Sequence, residues 1–236
     1  MKKTISLFLV LALALSLAAC GGQTAQSPAP TPTAVPESPA AEAHYPVTIT
    51  SYNENGETYT QTFDQCPERV VSISQANTEL LLALGLRDKI IATAHRFRPV
   101  YEPPAEEYNS IPFIAEKGSP AKEVVLDQEP DMIVGWGSLF ADDALGATSD
   151  WNDRGINTYL MKNTVSGLGK RNFEFLIQDI ENFGKIFDIE EKTDALVADI
   201  RSRLAAVETR TADIPEDERP TVLTVQMLKD NEWFAR

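Results

Sequence analysis

The clearest alternation of apolar and polar segments along the chain lies between residues 67 and 94. An apolar run at residues 69–73 ends in polar side chains, a leucine-rich segment follows at 80–84, and a second apolar, β-branched run covers 89–94. This order predicts a strand, a polar loop, a helix and a second strand. Such a βαβ unit has parallel strands and a right-handed crossover.

Two polar loops follow the strands of this unit, at residues 74–77 and 95–98. Ligands of open parallel sheets sit at the carboxyl ends of the strands, so both loops are candidate binding loops. In the first loop, Ser74, Gln75 and Asn77 have side chains that suit hydrogen bonds to a ligand. The same side chains suit the alternative role of capping the helix that begins there.

The second loop contains His95, Arg96, Phe97 and Arg98. Two arginines and an aromatic ring in an otherwise acidic chain suit an anionic, conjugated ligand. A solvated surface loop is the alternative interpretation of the same residues.

The remaining elements follow from the same kinds of pattern. Alternation around Asn55-Gly56 predicts a hairpin of strands at 47–50 and 58–63. Ser119 followed by Pro120 is typical of a helix start, and that helix should end at Glu129. Periodicity then predicts strands at 131–136, 156–161 and 221–225 and helices at 149–154, 173–187 and 190–210.

Two of these later strands end in further candidate ligand residues. Trp136 and Ser138 follow the first of them, and the tryptophan either lines a cleft or packs against the sheet edge. Lys162 follows the second, at the same predicted edge. The sequence therefore predicts an α/β fold, with a parallel sheet flanked by helices and with binding residues at one edge.

The N-terminus has the features of a bacterial lipoprotein signal. Lys2 and Lys3 precede a short apolar core at 5–15, which is too short to span a bilayer. The core ends in Leu17-Ala-Ala-Cys20, which resembles a lipobox in which Cys20 is lipidated. Ordinary signal cleavage with an incidental Cys20 is the alternative. The expected boundaries are a signal peptide at 1–19 and a lipidated, proline-rich tether at 20–46, which anchors the protein to a membrane surface.

Composition narrows the choice of partners. The formal net charge of −14 makes nucleic acid an unsuitable partner, because that binding depends on Lys and Arg at phosphates. Lipidation would leave Cys66 as the single other cysteine, so no intrachain disulfide is expected. The two histidines, His44 in the tether and His95, are too few for direct capture of a bare metal ion. A chelated metal fits better, because the chelator supplies the ligands.

Several segments together resemble one family of proteins. They are residues 69–74 (RVVSIS) with 78–85 (TELLLALG), 126–134 (LDQEPDMIV), 155–159 (GINTY) and a long helical segment at 181–205 after a shorter one. This order of motifs resembles the class III substrate-binding proteins of ABC importers, which serve ferric siderophores, haem and cobalamin. The resemblance covers about residues 47–236.

The resemblance implies a bilobed, extracytoplasmic protein that binds a metal-chelate small molecule between two α/β lobes. It implies a monomer, without a cofactor, that delivers a ferric siderophore, or alternatively haem or cobalamin, to an ABC permease and ATPase. The expected parts are a ligand-binding lobe at 47–187, an interlobe backbone helix at 188–213 and the start of a truncated second lobe at 214–236.

One acidic residue is a candidate for permease docking. Glu123 aligns with a family glutamate that contacts permease arginines, and charge complementarity suits that role. A helix dipole also favours a glutamate near a helix N-terminus, which is the alternative explanation. For Glu79, at the start of the first predicted helix, capping is the expected role.

Two other classes of function remain as alternatives. A lipid-anchored α/β enzyme is disfavoured, because the sequence contains no G-x-S-x-G, H-E-x-x-H, P-loop or G-x-G-x-x-G motif. A ligand sensor on the same bilobed fold would have the same sequence features. A neighbouring permease gene would favour import, and a neighbouring sensor kinase would favour sensing.

Overall fold

The computed structural model describes residues 43–100, 104–115, 118–222, 225–229 and 232–235. Cys20, the signal segment and the tether as far as residue 42 lie outside these residues. The chain opens with an antiparallel hairpin of β1 (Val47–Tyr52) and β2 (Thr58–Phe63), as predicted. Gly56 forms its turn with a φ of 83°, a conformation that glycine adopts readily.

Five parallel strands form the central sheet, which confirms the predicted fold class. They are β3 (Val70–Ile73), β4 (Ile90–Ala94), β5 (Phe113–Ala115), β6 (Met132–Gly135) and β7 (Asn157–Leu160), in the spatial order β5-β4-β3-β6-β7. The chain adds β4 and β5 on one side of β3 and then returns to place β6 and β7 on the other side. The strand order therefore reverses beside β3, and ligands of open α/β sheets bind in the crevice at such a reversal.

Helices cover both faces of the sheet. They are α1 (Gln75–Ala83), α2 (Ala105–Asn109), α3 (Lys122–Leu126), α4 (Thr148–Asn152), α5 (Phe173–Phe187) and α6 (Glu190–Thr211). Single 3-10 turns lie at Arg87–Lys89, Gly137–Phe140, Lys162–Thr164 and Glu216–Glu218. Alternate residues of β3 enter two separate cores: Val70 joins Leu81 and Phe183 on one face, and Val71 joins Trp151 on the other. This alternation fixes which face each strand residue occupies.

Three predicted boundaries are wrong. Helix α3 begins at Lys122 with Ala121 at its N-cap, because the Ser119 hydroxyl donates to the Pro120 carbonyl (3.2 Å) and does not cap the helix. The long helix at 181–205 that the resemblance implied is broken at Asp188, whose φ of 55° is left-handed, whereas the two helices that periodicity predicted at 173–187 and 190–210 are confirmed. The last predicted strand is shifted: β8 is Val225–Lys229 and pairs with β9 (Glu232–Ala235).

The folded part begins before the predicted boundary at residue 47. The Tyr45 hydroxyl donates to the Ile186 carbonyl (2.8 Å), and the ring packs against the core. His44 likewise contacts α5 through the Lys185 carbonyl. The end of the expected tether is thus packed on the sheet-flanking helices.

Helices α5 and α6 approach each other closely. A Cβ atom added at Gly184 would lie 2.2 Å from Thr193 Oγ1, so only glycine fits there without movement. The Thr193 hydroxyl donates to the Glu190 carbonyl at 3.1 Å. Within the described part of the chain, no helix combines the length and the apolarity needed to cross a bilayer.

Candidate functional site

The predicted ligand residues collect at the carboxyl edge of the sheet, because each follows a parallel strand. Ser74 follows β3, His95 follows β4, Trp136 follows β6 and Lys162 lies just beyond β7. Backbone bonds tie the first two loops together: Ser74 N donates to the Ala94 carbonyl at 3.0 Å. The structure therefore brings the candidate loops to one edge, beside the reversal of strand order.

Gln75 organises the loop after β4. Its side chain is fully buried, and Oε1 accepts hydrogen bonds from the backbone N–H groups of Phe97 (3.3 Å) and Arg98 (3.2 Å). Its Nε2 donates to Glu79 Oε1 at 2.8 Å. Gln75 thus holds the second candidate loop in place from beneath and has little surface to offer a ligand.

The other two polar residues of the first loop are also buried. Asn77 Nδ2 donates to the Ile73 carbonyl at 3.1 Å. Ser74 occupies the N-cap position of α1 with a φ of 114°, but its side chain makes no capping bond. Its Oγ has no hydrogen-bond partner among the described residues. The capping alternative is therefore wrong for Ser74.

Glu79 does not cap α1 either. It lies beyond the first turn of the helix, which contains no acidic residue. Besides the bond from Gln75, its carboxylate lies 3.8 Å from an Arg98 nitrogen. The expected capping role is wrong, because Glu79 connects α1 to the loop at 95–98.

Three rings from two strand ends form what we call the aromatic cluster: His95, Phe97 and Trp136. The His95 ring centre lies 5.6 Å from that of Trp136 and 5.8 Å from that of Phe97, and the last two lie 6.4 Å apart. These separations are typical of favourable edge-to-face and tilted contacts. Phe97 is 51% exposed, so the cluster presents an apolar surface at the edge of the sheet.

The two arginines of the loop take different positions. The exposed Arg98 guanidinium lies 5.5 Å from the ring centre of Phe97. Arg96 lies over the Phe113 ring at 4.6 Å, and its Nη1 is 3.4 Å from Asn109 Oδ1. Arg98 therefore adds positive charge beside the aromatic cluster, whereas Arg96 packs toward β5 and α2.

A cavity of about 470 Å³ adjoins Trp136. Small-molecule sites commonly enclose roughly 300–1,000 Å³. Its lining has apolar residues from α1 and α5 and a set of polar side chains, namely Asn77, Ser138, Asn163, Thr164, Arg171 and Asp179. Trp136 belongs to both the cavity wall and the aromatic cluster, so the two features form one continuous surface.

Lys162, a predicted ligand residue, is buried and is not among the residues that line this cavity. Its Nζ donates to Gln178 Oε1 at 2.6 Å and lies 5.4 Å from the Tyr52 ring centre. Burial lowers the pKa of this ammonium group, partly offset by Asp179 and Glu181. Lys162 borders a smaller pocket of about 220 Å³, which shares Arg171 with the main cavity.

Asp179 is the buried carboxyl group of the cavity. It accepts a hydrogen bond from the Tyr159 hydroxyl (2.9 Å), and its two oxygens share the single Lys162 backbone N–H (3.2 and 3.3 Å). Burial nevertheless raises its pKa from 3.8 to about 7, because desolvation exceeds the effect of these donors. Burial also raises the pKa of Tyr159. The carboxyl group is thus part-protonated at neutral pH.

A second depression of about 470 Å³ lies at the opposite, amino edge of the sheet. Asp64, Cys66 and Asp131 contribute to its lining. Asp131 accepts backbone bonds from Glu68 (2.7 Å) and Arg69 (3.0 Å), so it connects segments of the fold. The carboxyl edge is the better candidate, because ligands of such sheets bind there.

Comparison with known proteins decides the family. The family model described as "Periplasmic binding protein" matches residues 70–232. This chain belongs to that family.

Relatives of known sequence or structure support the assignment. The chain is 27% identical over 179 residues to an uncharacterized ABC transporter substrate-binding lipoprotein, YvrC, of Bacillus subtilis, covering 75% of this chain and 51% of the relative. A periplasmic binding protein from Veillonella parvula matches with a TM-score of 0.67 and 28% identity, over 73% of this chain and 55% of the other.

A structure described as an ABC-type Fe3+-hydroxamate transport system, from Saccharomonospora viridis, has a TM-score of 0.60 and 28% identity. The match covers 72% of this chain and 58% of that protein. The chain thus spans between half and three fifths of the length of these periplasmic binding protein relatives.

Four polar residues that line the cavity beside Trp136 were not predicted from the sequence: Asn163, Thr164, Arg171 and Asp179. Thr164 also joins two strand ends, because its Oγ1 accepts the Gly137 N–H at 3.2 Å. A Cβ atom at Gly137 would lie 3.2 Å from the Thr164 carbonyl oxygen, so glycine permits this close approach. The sequence offered one signal for these residues: Gly137 and Thr164 lie in two short turns, each of which follows a strand.

Glu123 lies in the first turn of α3 and is exposed. Its neighbour Lys122 instead pairs with Asp150 at 3.0 Å and lies over the Trp151 ring. A helix that precedes a parallel strand runs against it, so the start of α3 lies toward the carboxyl edge of the sheet. Both expected explanations of Glu123, docking and the helix dipole, fit this exposed position.

Proposed function

We propose that this chain carries the ligand-binding lobe of an extracytoplasmic substrate-binding lipoprotein. It captures a ferric chelate of the siderophore type and delivers it to an ABC importer. The observation that carries the proposal is the aromatic cluster, which continues into the polar cavity beside the reversal of strand order. The name of the Bacillus subtilis relative, an ABC transporter substrate-binding lipoprotein, supports the proposed partner and anchor. The description of the Saccharomonospora viridis structure, an Fe3+-hydroxamate transport system, supports the proposed class of ligand.

The chemistry of the cavity favours a chelated metal over a bare ion. Among the described residues of its lining, Asp179 supplies the one carboxyl group, and burial raises the pKa of that group, which favours its neutral form. A bare ferric ion would need several converging anionic ligands. A chelate supplies those ligands itself, and its conjugated or anionic surface suits the aromatic cluster and the nearby Arg98 and Arg171.

The proposal includes the location and the division of the chain. Cys20 is lipidated, and the segment that follows it tethers the protein to the extracytoplasmic face of the membrane. Residues 47–187 form the ligand-binding lobe, 188–213 form the interlobe helix and a second lobe begins at 214. The protein acts as a monomer and has no enzymatic role.

Tryptophan fluorescence tests the ligand. The full chain is titrated with a ferric trihydroxamate, haem and cobalamin, and saturable quenching by the ferric trihydroxamate is expected. Trp136→Phe should remove most of the quenching, because Trp136 lines the cavity. Trp151→Phe is the matched control: Trp151 is fully buried and does not line the cavity, so this substitution should leave the quenching in place.

Two results would overturn the proposal of a ferric siderophore as the ligand. One is tighter saturable binding of haem or cobalamin than of the ferric trihydroxamate. The other is binding of bare ferric ion, without a chelator, that Trp136→Phe abolishes.

Uptake by cells that depend on this protein tests the docking role. Glu123→Arg should reduce uptake while the affinity of the purified protein for its ligand stays the same. Asp127→Arg is the matched control, because Asp127 is exposed at the other end of α3 and the charge change is identical. Equal uptake by both variants would leave Glu123 as a helix-dipole residue.

A further inference from the structure

A cluster of metal-binding side chains lies far from the ligand cavity, where α5 ends and α6 begins. His44 Nδ1 lies 3.2 Å from Asp188 Oδ1 and 3.9 Å from Glu190 Oε1. The other ring nitrogen, Nε2, is 2.7 Å from the Lys185 carbonyl oxygen. A carbonyl accepts only, so Nε2 carries a hydrogen and donates it.

That bond leaves Nδ1 facing two carboxylates. In the neutral ring, Nδ1 then presents a lone pair to oxygen atoms that also carry lone pairs. This arrangement is favourable only with a positive charge between the three groups. A proton on Nδ1 satisfies one carboxylate, whereas a metal ion satisfies all three.

The spacing of the three ligand atoms fits a metal ion. All of them lie within 4.8 Å of one another. Ligands about 2.0–2.2 Å from a metal at tetrahedral or octahedral angles lie about 3.0–3.6 Å apart. The distance from His44 to Asp188 is already in this range, and that from His44 to Glu190 exceeds it by a few tenths of an ångström.

Surrounding contacts hold each ligand in place. The Tyr45 ring packs edge-on against the His44 ring, with centres 4.6 Å apart, and its hydroxyl is bound to α5. Asp188 is the left-handed C-cap of α5, and its N–H bonds to the Gly184 carbonyl. Glu190 is the first residue of α6. The three ligand residues are therefore already held close together, so metal binding requires no rearrangement of the backbone.

The site is open to water on one side. Asp188 and Glu190 border a shallow depression of about 690 Å³, which Glu191 and Lys192 also line. Water molecules can complete the coordination shell there, as in metal sites with three protein ligands. One imidazole and two carboxylates form a mixed nitrogen and oxygen set that suits borderline divalent ions such as Zn²⁺, Co²⁺ and Ni²⁺.

We propose that His44 Nδ1, Asp188 and Glu190 bind one divalent transition-metal ion, with zinc as the reference ion. The ion clamps the start of the folded part, directly after the proline-rich segment, to the junction of α5 and α6. His44 lies more than 140 residues before Asp188 and Glu190 in the chain, so the three ligands converge only in the folded protein. Binding therefore stabilises the folded state by mass action. This inference does not depend on the proposed function.

Calorimetry with the untagged full chain and zinc chloride tests the site. We expect one zinc ion per chain and a rise in the melting temperature with zinc. His44→Gln and Asp188→Asn should each weaken zinc binding at least tenfold; asparagine tolerates the left-handed conformation at 188. Glu191→Gln and His95→Gln are the matched controls, a neighbouring carboxylate and the other histidine of the chain, and should stay within twofold.

Proton NMR with Co²⁺ gives a second readout that does not depend on stability. The chain has two histidines, so large paramagnetic shifts of the His44 ring signals, without comparable shifts of the His95 ring signals, would identify the ligand. The absence of stoichiometric zinc binding would overturn the proposal. Unchanged binding in folded His44→Gln and Asp188→Asn, judged by circular dichroism, would overturn it too.

Discussion

The loops after β3 and β4 lie side by side at one edge of the sheet but differ in exposure. Ser74 and Gln75 in the first loop are fully buried, and Asn77 is 3% exposed. In the second loop Phe97 is 51% exposed, and the Arg98 side chain is 61% exposed. The loop after β3 therefore supports the site from within, and the loop after β4 exposes its side chains to solvent.

The difference has a physical cause. Backbone N–H groups at the end of the second loop need acceptors, and the buried Gln75 amide oxygen accepts those of Phe97 and Arg98. Because the amide satisfies these donors, the Phe97 ring and the Arg98 guanidinium are not needed to hold the loop and remain largely exposed. This arrangement, in which a buried residue holds an exposed, ligand-contacting residue in place, is expected of a preorganised site.

The same division recurs beside β7, where Asp179 is buried and Arg171 is exposed. The folded chain holds the Asp179 proton more tightly than the unfolded chain, since burial raises the pKa from 3.8 to about 7. Its contribution to stability is complete below about pH 4 and is lost as the pH rises through about 7. The free energy of unfolding of the wild type relative to Asp179→Asn should therefore fall by up to about 4 kcal/mol from pH 4 to 8.

Urea unfolding of the wild type and of Asp179→Asn at several pH values measures this pH-dependent change in the free energy of unfolding, which is the largest effect that we expect. Asp127→Asn, at an exposed carboxylate, is the control and should give a difference that does not change with pH over this range. A constant difference between wild type and Asp179→Asn would show that the buried carboxyl group titrates normally.

The second prediction tests the supporting role of Gln75. Gln75→Ala should lower the free energy of unfolding by about 2–3 kcal/mol, because it leaves a cavity and removes the acceptor of two backbone donors. Gln128→Ala is the control, since Gln128 is partly exposed and its amide makes one 3.4 Å bond to the Val124 carbonyl. Equal stability of the two variants would contradict a supporting role for the first loop.

The predictability of the site follows the same division. Apolar runs that end in polar residues predicted that Gln75, Phe97 and Trp136 lie at one edge of the sheet. The sequence did not show which of these residues support the site and which are exposed to contact a ligand, because the burial of each side chain depends on the neighbouring loop. Arg171 and Asp179 were missed, since they lie on a loop and a helix whose distance from β6 is set by tertiary packing. His44 was assigned to the tether, because its partners lie more than 140 residues away.

The third prediction tests the contacting role of the second loop. Phe97→Ala should weaken binding of the ferric trihydroxamate about tenfold, which corresponds to about 1.4 kcal/mol. Stability should change by less than about 0.5 kcal/mol, because the ring is half exposed. Phe173→Ala is the control: Phe173 is 59% exposed at the start of α5 and should change neither quantity. A large loss of stability in Phe97→Ala would place this ring with the supporting residues.

The smallest effect is expected from Arg98, whose charge acts through solvent. Its guanidinium lies 3.8 Å from Glu79 and over the Phe97 ring, yet the side chain is largely exposed, so each contact is weak. Arg98→Gln should lower affinity for an anionic ferric chelate about two- to fivefold at low salt, and the loss should shrink at 0.5 M salt, where exposed charges are screened. Arg154→Gln, an exposed arginine beyond α4, removes the same charge elsewhere and should have no effect. If both arginine variants reduce affinity equally, net charge attracts the ligand and the position of Arg98 beside the aromatic cluster adds nothing. If only Arg98→Gln does, the exposed loop recognises its ligand by local charge as well as by its ring.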